Sequence, residues 1–260
     1  MTVKRSEELR RTLHWAAQNG NANAITAVIA NGADVNARDE TDTTALHYAA
    51  AHGDLGVVEL LLDEGANIHA RDDANRTVLH WAARNSTTTA IMSTLLTRGC
   101  DIRCVDCNDN TPLHEAAACG NLGVIDLLVS QGLDPNARNS DGDTPLHQAM
   151  ANGKEPAVNL LVDRGANVNA PNHDGWTPLH EGAMWGQTGA IQSLIARGAD
   201  KSVLTHDSET AMQIAEQRGF VESAAALTDG THQATTPEDH ANHLGREAMR
   251  RQNRRPRSQQ

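Results

Sequence analysis

The stretch TALHYAAAHGDLGVVELLLDEGANIHARD (residues 44–72) returns, with changes, as TPLHQAMANGKEPAVNLLVDRGANVNAPN (residues 144–172). The dipeptide Leu-His marks each copy of this pattern and recurs at spacings of 33 or 34 residues. Its six occurrences are Leu13-His14, Leu46-His47, Leu79-His80, Leu113-His114, Leu146-His147 and Leu179-His180. A degenerate seventh copy, TAMQIAEQRGF, begins 33 residues after the sixth. Self-similarity at this period predicts a stacked array of small units.

Each copy carries signals for two short helices. In the fourth copy, Thr111 suits an N-cap, Pro112 suits the first helical position, and His114 can bond back to the cap. Glycines that tolerate a left-handed conformation are predicted to end the first helix, at Gly20, Gly53, Gly120, Gly153, Gly186 and Gly219. A second set is predicted to end the second helix, at Gly32, Gly65, Gly99, Gly132, Gly165 and Gly198. An extended finger then leads to the next Thr.

This pattern resembles the ankyrin repeat over residues 6–227, in about seven copies. The resemblance implies an all-α repeat fold, an ankyrin solenoid of helix–turn–helix units with extended finger loops. Residues 1–5 are then an N-terminal extension, and residues 228–260, which have few apolar residues and no repeat, are predicted to be a disordered Arg-rich C-terminal tail. No unit could bury its apolar faces alone, so stability must come from stacking on neighbours.

Three copies depart from the pattern. The third carries one extra residue in Ser86-Thr87-Thr88-Thr89, which we place in the loop between its helices. In the first copy Arg11-Thr12 replaces Thr-Pro, and in the last copy Gln213 replaces His. Terminal copies need polar outer faces, so we interpret these two as caps.

Composition limits the class of protein. The formal charge of −11 disfavours non-specific nucleic-acid binding by the chain as a whole. No apolar run approaches the ~18 residues of a membrane span, and the start MTVKRSEELRR lacks the apolar core of a secretory signal. Four cysteines in this length do not suggest a disulfide scaffold. We therefore expect an intracellular, cytoplasmic or nuclear monomer without a membrane segment.

All four cysteines lie in GCDIRCVDCNDNTPLHEAAACG (residues 99–120), which at first looks like a metal site. In the repeat register, Cys100 and Cys104 replace alanines of other copies, Cys107 falls on a finger tip, and Cys119 ends a first helix. A shared tetrahedral site would need these separate places to converge. Structural cysteines are the preferred interpretation, and a zinc or iron–sulfur site remains the alternative.

The six Leu-His histidines form a row one repeat apart rather than a cluster, so capping is favoured over ligation. No phosphate loop, nucleophile elbow or paired metal-binding histidines occur in the sequence. We therefore predict no enzymatic activity, no cofactor and no metal.

Function should then lie at positions that vary between copies. The resemblance implies that these are the finger tips and the exposed side of the first helices, which together line a concave groove. Trp15, Tyr48 and Trp81 occupy one equivalent position, immediately after the His, as packing residues or as binding residues. Trp176 and Trp185 are the stronger binding candidates. The remaining candidates on this side are Met184, Glu181, Asp143 and Asp174.

The fingers are rich in acids, which either form turns or steer a basic partner. The acids are Asp39, Glu40, Asp42, Asp72, Asp73, Asp106, Asp109, Asp141, Asp143, Asp174, Asp207 and Glu209. The partner that fits is another protein, offering a basic segment with an apolar anchor near Trp176 and Trp185.

The tail from Thr228 has six arginines and four acids, so its net charge is positive, whereas the rest of the chain is negative. Three interpretations stay open: an inert solvated tail, a nuclear-import or nucleic-acid patch, or a segment that folds back onto the acidic groove. The import candidates are Arg250, Arg251, Arg254, Arg255 and Arg257.

The sequence thus predicts a non-catalytic interaction module, an adaptor or regulatory subunit. The alternatives are an effector or inhibitor of a recruited enzyme, and a nuclear regulator that uses the basic tail. The resemblance also implies that Asn36, Asn136 and Asn169 match a position that is hydroxylated in some family members.

Overall fold

The computed structural model describes residues 2–85 and 89–228. Fourteen helices lie in these two ranges. They are α1 (Thr2–Gln18), α2 (Ala22–Ala30), α3 (Ala45–His52), α4 (Leu55–Asp63), α5 (Val78–Ala83), α6 (Thr89–Thr97), α7 (Pro112–Cys119), α8 (Leu122–Ser130), α9 (Pro145–Ala151), α10 (Glu155–Asp163), α11 (Pro178–Met184), α12 (Thr188–Ala196), α13 (Ala211–Gln217) and α14 (Val221–Leu227). The predicted all-α repeat of seven helix pairs is confirmed.

The helices form two layers. Each odd-numbered helix, called an inner helix below, packs against the next odd-numbered one, and each even-numbered outer helix packs against the next even-numbered one. The core runs between the layers as one continuous row of leucines and small residues. Its fully buried members on the inner helices include Leu13, Leu46, Leu79, Leu113 and Leu146. Every unit therefore depends on its neighbours to keep this row out of water.

The helix ends follow the glycine signals. All twelve predicted glycines have φ between +62° and +96°, a left-handed conformation that costs other residues free energy. Gly53 and Gly120 are themselves the C-caps of α3 and α7.

The first and third copies differ from the others. Helix α1 starts at Thr2, so no break in secondary structure marks the predicted boundary at residue 6. The reason is that Arg11 replaces the N-cap Thr, which starts the inner helices of the second and third copies even without a proline. In the third copy α5 ends at Ala83 and α6 begins at Thr89. The extra residue therefore falls between these helices, where residues 86–88 lie outside the described ranges.

The fingers are tight turns that join one another. Backbone N–H groups of each finger bond to the finger before it, as in Asp73 to the carbonyl of Thr41 (3.0 Å) and His173 to that of Asp141 (3.0 Å). Within the described residues the only β-bridge is the isolated pair Arg71 and Thr77. None of the described helices has the length and apolar character required to cross a membrane.

Candidate protein-binding face

The Leu-His histidines hold the repeats together. In α7, Nδ1 of His114 accepts a hydrogen bond from the backbone N–H of Thr111 (3.1 Å), which completes a capping box. Nε2 of His114 then donates to the carbonyl of Asp143 (3.1 Å) in the next finger. The same Nε2 bond to a carbonyl recurs in four other copies, from His14, His80, His147 and His180. The predicted capping role is confirmed for the histidines of copies two to six, whereas His14 lies inside α1 and caps no helix.

Burial keeps these histidines neutral. Desolvation lowers the pKa of His47, His114 and His180 to about 4 in each case. A neutral ring can accept at Nδ1 and donate at Nε2 simultaneously, which is what the capping box and the finger carbonyl require.

The cysteines occupy the separate environments that the repeat register predicts. Cys104 is buried with Sγ 3.2 Å from Oγ1 of Thr77, while half-buried Cys100 donates to the carbonyl of Ile68 (3.5 Å). Cys107 and Cys119 are exposed. Burial raises the pKa of Cys100 to about 12 and also raises those of the other three thiols. In residues 2–85 and 89–228, no three His, Cys, Asp or Glu side chains group as metal ligands would.

The acids of the fingers fall into two sets. The first residue of each finger forms the turn: Oδ1 of Asp39 accepts from the backbone N–H of Thr41 (2.9 Å) and of Thr43 (3.0 Å). The same residue is buried in several copies, as with Asp72 and Asp106. These acids are turn formers, the first of the two roles considered for them.

The second set lies at the tips and is exposed. It consists of Glu40, Asp42, Asp73, Asp109, Asp141, Asp174 and Asp207. Because the fingers are hydrogen bonded in register, these carboxylates follow one another along one edge of the array. The three central residues of each finger include no Lys or Arg, so negative charge predominates along this edge, although Arg38 lies 3.8 Å from Asp42 of the first finger.

The aromatic position after the His is built differently in different copies. Tyr48 Oη donates to Oδ2 of Asp39 (2.7 Å), and Trp81 Nε1 donates to Oδ2 of Asp72 (2.9 Å). The two rings meet edge to face at 5.6 Å, and the guanidinium of Arg76 lies 5.2 Å from the Trp81 ring centre. For Tyr48 and Trp81 these contacts favour the packing interpretation.

Trp15 occupies the same position in the first copy, yet its side chain is 56% exposed. At the other end of the array Trp185 is 48% exposed, just after α11. Exposed indoles of this size are typical anchors of protein interfaces.

The other predicted site residues are more enclosed. Trp176 and Met184 are half-buried against the core, and they lie at opposite ends of α11. Trp176 therefore precedes α11, and Trp185 directly follows it. Glu181 is half-buried on α11, and Asp174 is an exposed tip acid. Asp143 is partly structural, because its Oδ1 accepts from the amide of Asn172 (2.7 Å). The binding roles of all nine candidates stay predictions.

The structure contains one apolar patch that the sequence pattern did not predict. Phe220 is the N-cap of α14, where Asn21 and Asn121 cap the equivalent helices with their side chains. Its ring instead covers Gly186, next to Trp185, and Val221 beside it is 78% exposed. An aromatic residue at a capping position was the available signal.

Two further predictions concern other parts of the chain. The amide of Asn36 bridges repeats by donating to the carbonyl of Gly65 (3.1 Å) and accepting from the N–H of Asn67 (2.6 Å), and Asn136 repeats this arrangement. The five arginines of the import candidate lie outside the described residues.

Comparisons with known proteins agree with the helix pairs. A family model described as ankyrin repeats (3 copies) matches residues 3–72, 70–139 and 133–205. No curated protein matches the chain significantly. Since these matches cover most of the chain and the repeats stack as the family requires, the chain belongs to the ankyrin repeat family, whose repeats generally bind other proteins.

Proposed function

We propose that this chain is a non-catalytic adaptor or regulatory subunit that binds a basic segment of a partner protein. The binding surface would be the groove face, which we define as the exposed residues of the seven inner helices and the six fingers. The observation that carries this proposal is the row of seven exposed tip acids along one edge. A row with one predominant sign of charge attracts and orients a basic segment.

Exposed indoles supply the apolar part of the proposed surface. Trp15 and Trp185 lie near opposite ends of the array, so a segment that reaches both would cross several repeats. The histidines that could suggest catalysis are already used in capping boxes, which supports a binding role rather than an enzymatic one. An intracellular partner fits the four free thiols.

The test is a comparative pull-down from the native cell lysate. The groove variant is Asp73→Asn/Asp109→Asn, which removes two tip charges; Asn tolerates the φ of +58° at position 109. The matched control is Glu59→Gln/Glu64→Gln, which removes two exposed charges from α4 and its C-cap on the opposite layer.

We expect the groove variant to weaken the partner about three- to ten-fold at low salt, which corresponds to ~0.5 kcal/mol per lost charge. The control should bind as wild type does. Equal losses in the two variants would mean that net charge, and not the groove face, attracts the partner. No loss in either would contradict the acidic-edge proposal.

A further inference from the structure

The aromatic side chain after the Leu-His pair is bonded to a finger in copies two and three, an arrangement we call closed. In copy one the equivalent side chain is exposed, an arrangement we call open. In each closed copy the aromatic residue bonds to a finger carboxylate nine residues upstream, as Tyr48 does to Asp39 and Trp81 to Asp72. Nine residues before Trp15 the chain is still within α1, so no finger carboxylate stands at that distance. The indole of Trp15 consequently remains 56% exposed.

A cleft of about 410 Å³ opens beside this indole, between α1 and the first finger. Trp15 and Tyr48 contribute aromatic surface to it, and Asp39 and Glu40 contribute carboxylates from the finger. We call this cavity the Trp15 cleft. It combines π faces with negative charge in one place, the combination that attracts an organic cation.

The charges around the cleft are not balanced once their existing partners are considered. Arg10 and Arg11 also line the cavity, but Arg10 donates to the carbonyl of Arg38 (3.0 Å) and Arg11 pairs with Glu7 (2.7 Å). Glu40, by contrast, is exposed. Glu7 neutralises Arg11, but the bond to a neutral carbonyl leaves Arg10 its positive charge. Against this one charge stand two carboxylates, Asp39 and exposed Glu40, so the lining keeps a net negative charge.

The remaining groups of the cleft hold their charge states at neutral pH. Burial opposes ionisation of Asp39, but hydrogen bonds from Tyr48 and Thr41 outweigh it and lower the pKa of this carboxyl. Desolvation lowers the pKa of His14, so its ring adds no positive charge. The finger wall of the cleft is therefore anionic.

We propose that the Trp15 cleft receives a lysine or arginine side chain of the partner segment. This inference rests on the proposed function and deepens it, because it assigns one basic residue of the partner to the first repeat. The aliphatic stem would pack on Trp15 and Tyr48, while the charged head would lie against Glu40 and Asp39. The cleft would then fix the register of the segment along the array.

The experiment uses the full chain labelled with ¹⁵N and short peptides as probes. The probe is acetyl-Gly-Gly-Lys-Gly-Gly-amide, with the lysine replaced in turn by arginine, norleucine or glutamate. The indole N–H signal of Trp15, assigned by its loss in Trp15→Ala, reports on the cleft at low ionic strength. We expect saturable shifts with lysine and arginine, at least five-fold weaker binding for norleucine and glutamate, and loss of binding at high salt.

Two variants test the residues. Glu40→Gln keeps the shape of an exposed side chain and should weaken the lysine peptide at least three-fold. Trp185→Ala, the matched control in the sixth repeat, should leave it unchanged. Tighter binding of the glutamate peptide would show that Arg10 and Arg11 dominate the electrostatic potential of the cleft. An unchanged Trp15 indole N–H shift with every peptide would show that none of them binds there. Either result would overturn the inference.

Failure of the cleft can be told apart from failure of the proposed function. In the lysate pull-down, Trp15→Ala and Glu40→Gln can retain the partner while Asp73→Asn/Asp109→Asn loses it. That pattern would keep the groove face as the binding surface and remove the cleft from it.

Discussion

Two sides of each inner helix differ in how much they change along the array. The side that faces the neighbouring repeat uses nearly the same parts along the array. A Thr contacts the His three residues later in copies two to six. The His bonds to a carbonyl of the next repeat in all of the first six copies except the second, where Nε2 of His47 has no partner among the described residues. The groove side changes from Trp15 through Glu115 to Glu181 at a single equivalent position. Adjacent residues, such as His80 and Trp81, thus belong to different surfaces.

This difference separates stability from recognition. The repeated contacts use buried, neutral groups and should dominate the free energy of unfolding. The variable residues are partly exposed, so their removal should change binding more than stability. Tyr48 and Trp81 are the exceptions, because their polar atoms are tied to the fingers.

The largest expected effect is the pH dependence of the free energy of unfolding, which arises from the buried histidines between the repeats. The pKa of His47, His114 and His180 is about 4 in the folded chain, against 6.5 when unfolded, so the unfolded state binds more protons between these values. Stability is fully present above pH 6.5 and is lost as the pH falls toward 4. Urea unfolding at pH 7 and pH 5 should show a loss on the order of 5 kcal/mol.

The variant His114→Gln sharpens this test, because Gln213 fills the same role in the last copy and accepts from the N–H of Thr210 (2.9 Å). The variant should keep its capping box and lose only the contribution of His114, about 2 kcal/mol between pH 7 and pH 5, because burial also lowers the pKa of the other five Leu-His histidines. An unchanged pH dependence would mean that His114 does not contribute to it.

A second comparison sets Trp81→Ala against Trp185→Ala. The Trp81→Ala variant loses packing, the hydrogen bond to Asp72 and the contact with Arg76. We therefore expect it to lower the free energy of unfolding by about 3 kcal/mol. Trp185 is half exposed, so Trp185→Ala should lower the free energy of unfolding by less than about 1 kcal/mol. If urea unfolding gives the same loss of free energy for the two variants, Trp81 is not more tightly packed than Trp185.

The turn before Phe220 offers an intermediate effect. Gly186 has a φ of +67°, and an added Cβ would come within 2.5 Å of the Phe220 ring. Gly186→Ala should therefore lower the unfolding free energy by about 1–2 kcal/mol. Gly165→Ala is the control, since its φ of +93° carries the backbone cost without any atom near the added methyl group. If both variants behave alike, the Phe220 ring is not held against Gly186.

The smallest effect is expected on the outer helices. Arg164 pairs with Asp126 of the preceding repeat, but both side chains are largely exposed. Arg164→Ala should cost about 0.5 kcal/mol in urea unfolding. A cost near that of Trp81→Ala would show that the outer layer contributes as much as the repeated inner contacts.

The candidate site was only partly predictable. The sequence placed Trp15, Tyr48 and Trp81 at one position, but equivalence in the repeat gave all three the same expected role. The structure separates them, since Tyr48 and Trp81 each donate to a finger carboxylate nine residues upstream, where the chain before Trp15 is helical. Likewise the sequence shows Phe220 at a capping position where its side chain cannot accept a hydrogen bond. Only its contact with Gly186 in the structure indicates an apolar patch.

The sequence by itself determined the architecture, because a 33-residue period with fixed cap and glycine positions repeats one local solution whose apolar faces can only be buried by stacking. Tertiary structure alone decided which tip acids are exposed, which indoles are packed, and where a cleft opens. These properties depend on what lies across from each side chain in the neighbouring repeat, and that partner is about 30 residues away in the chain.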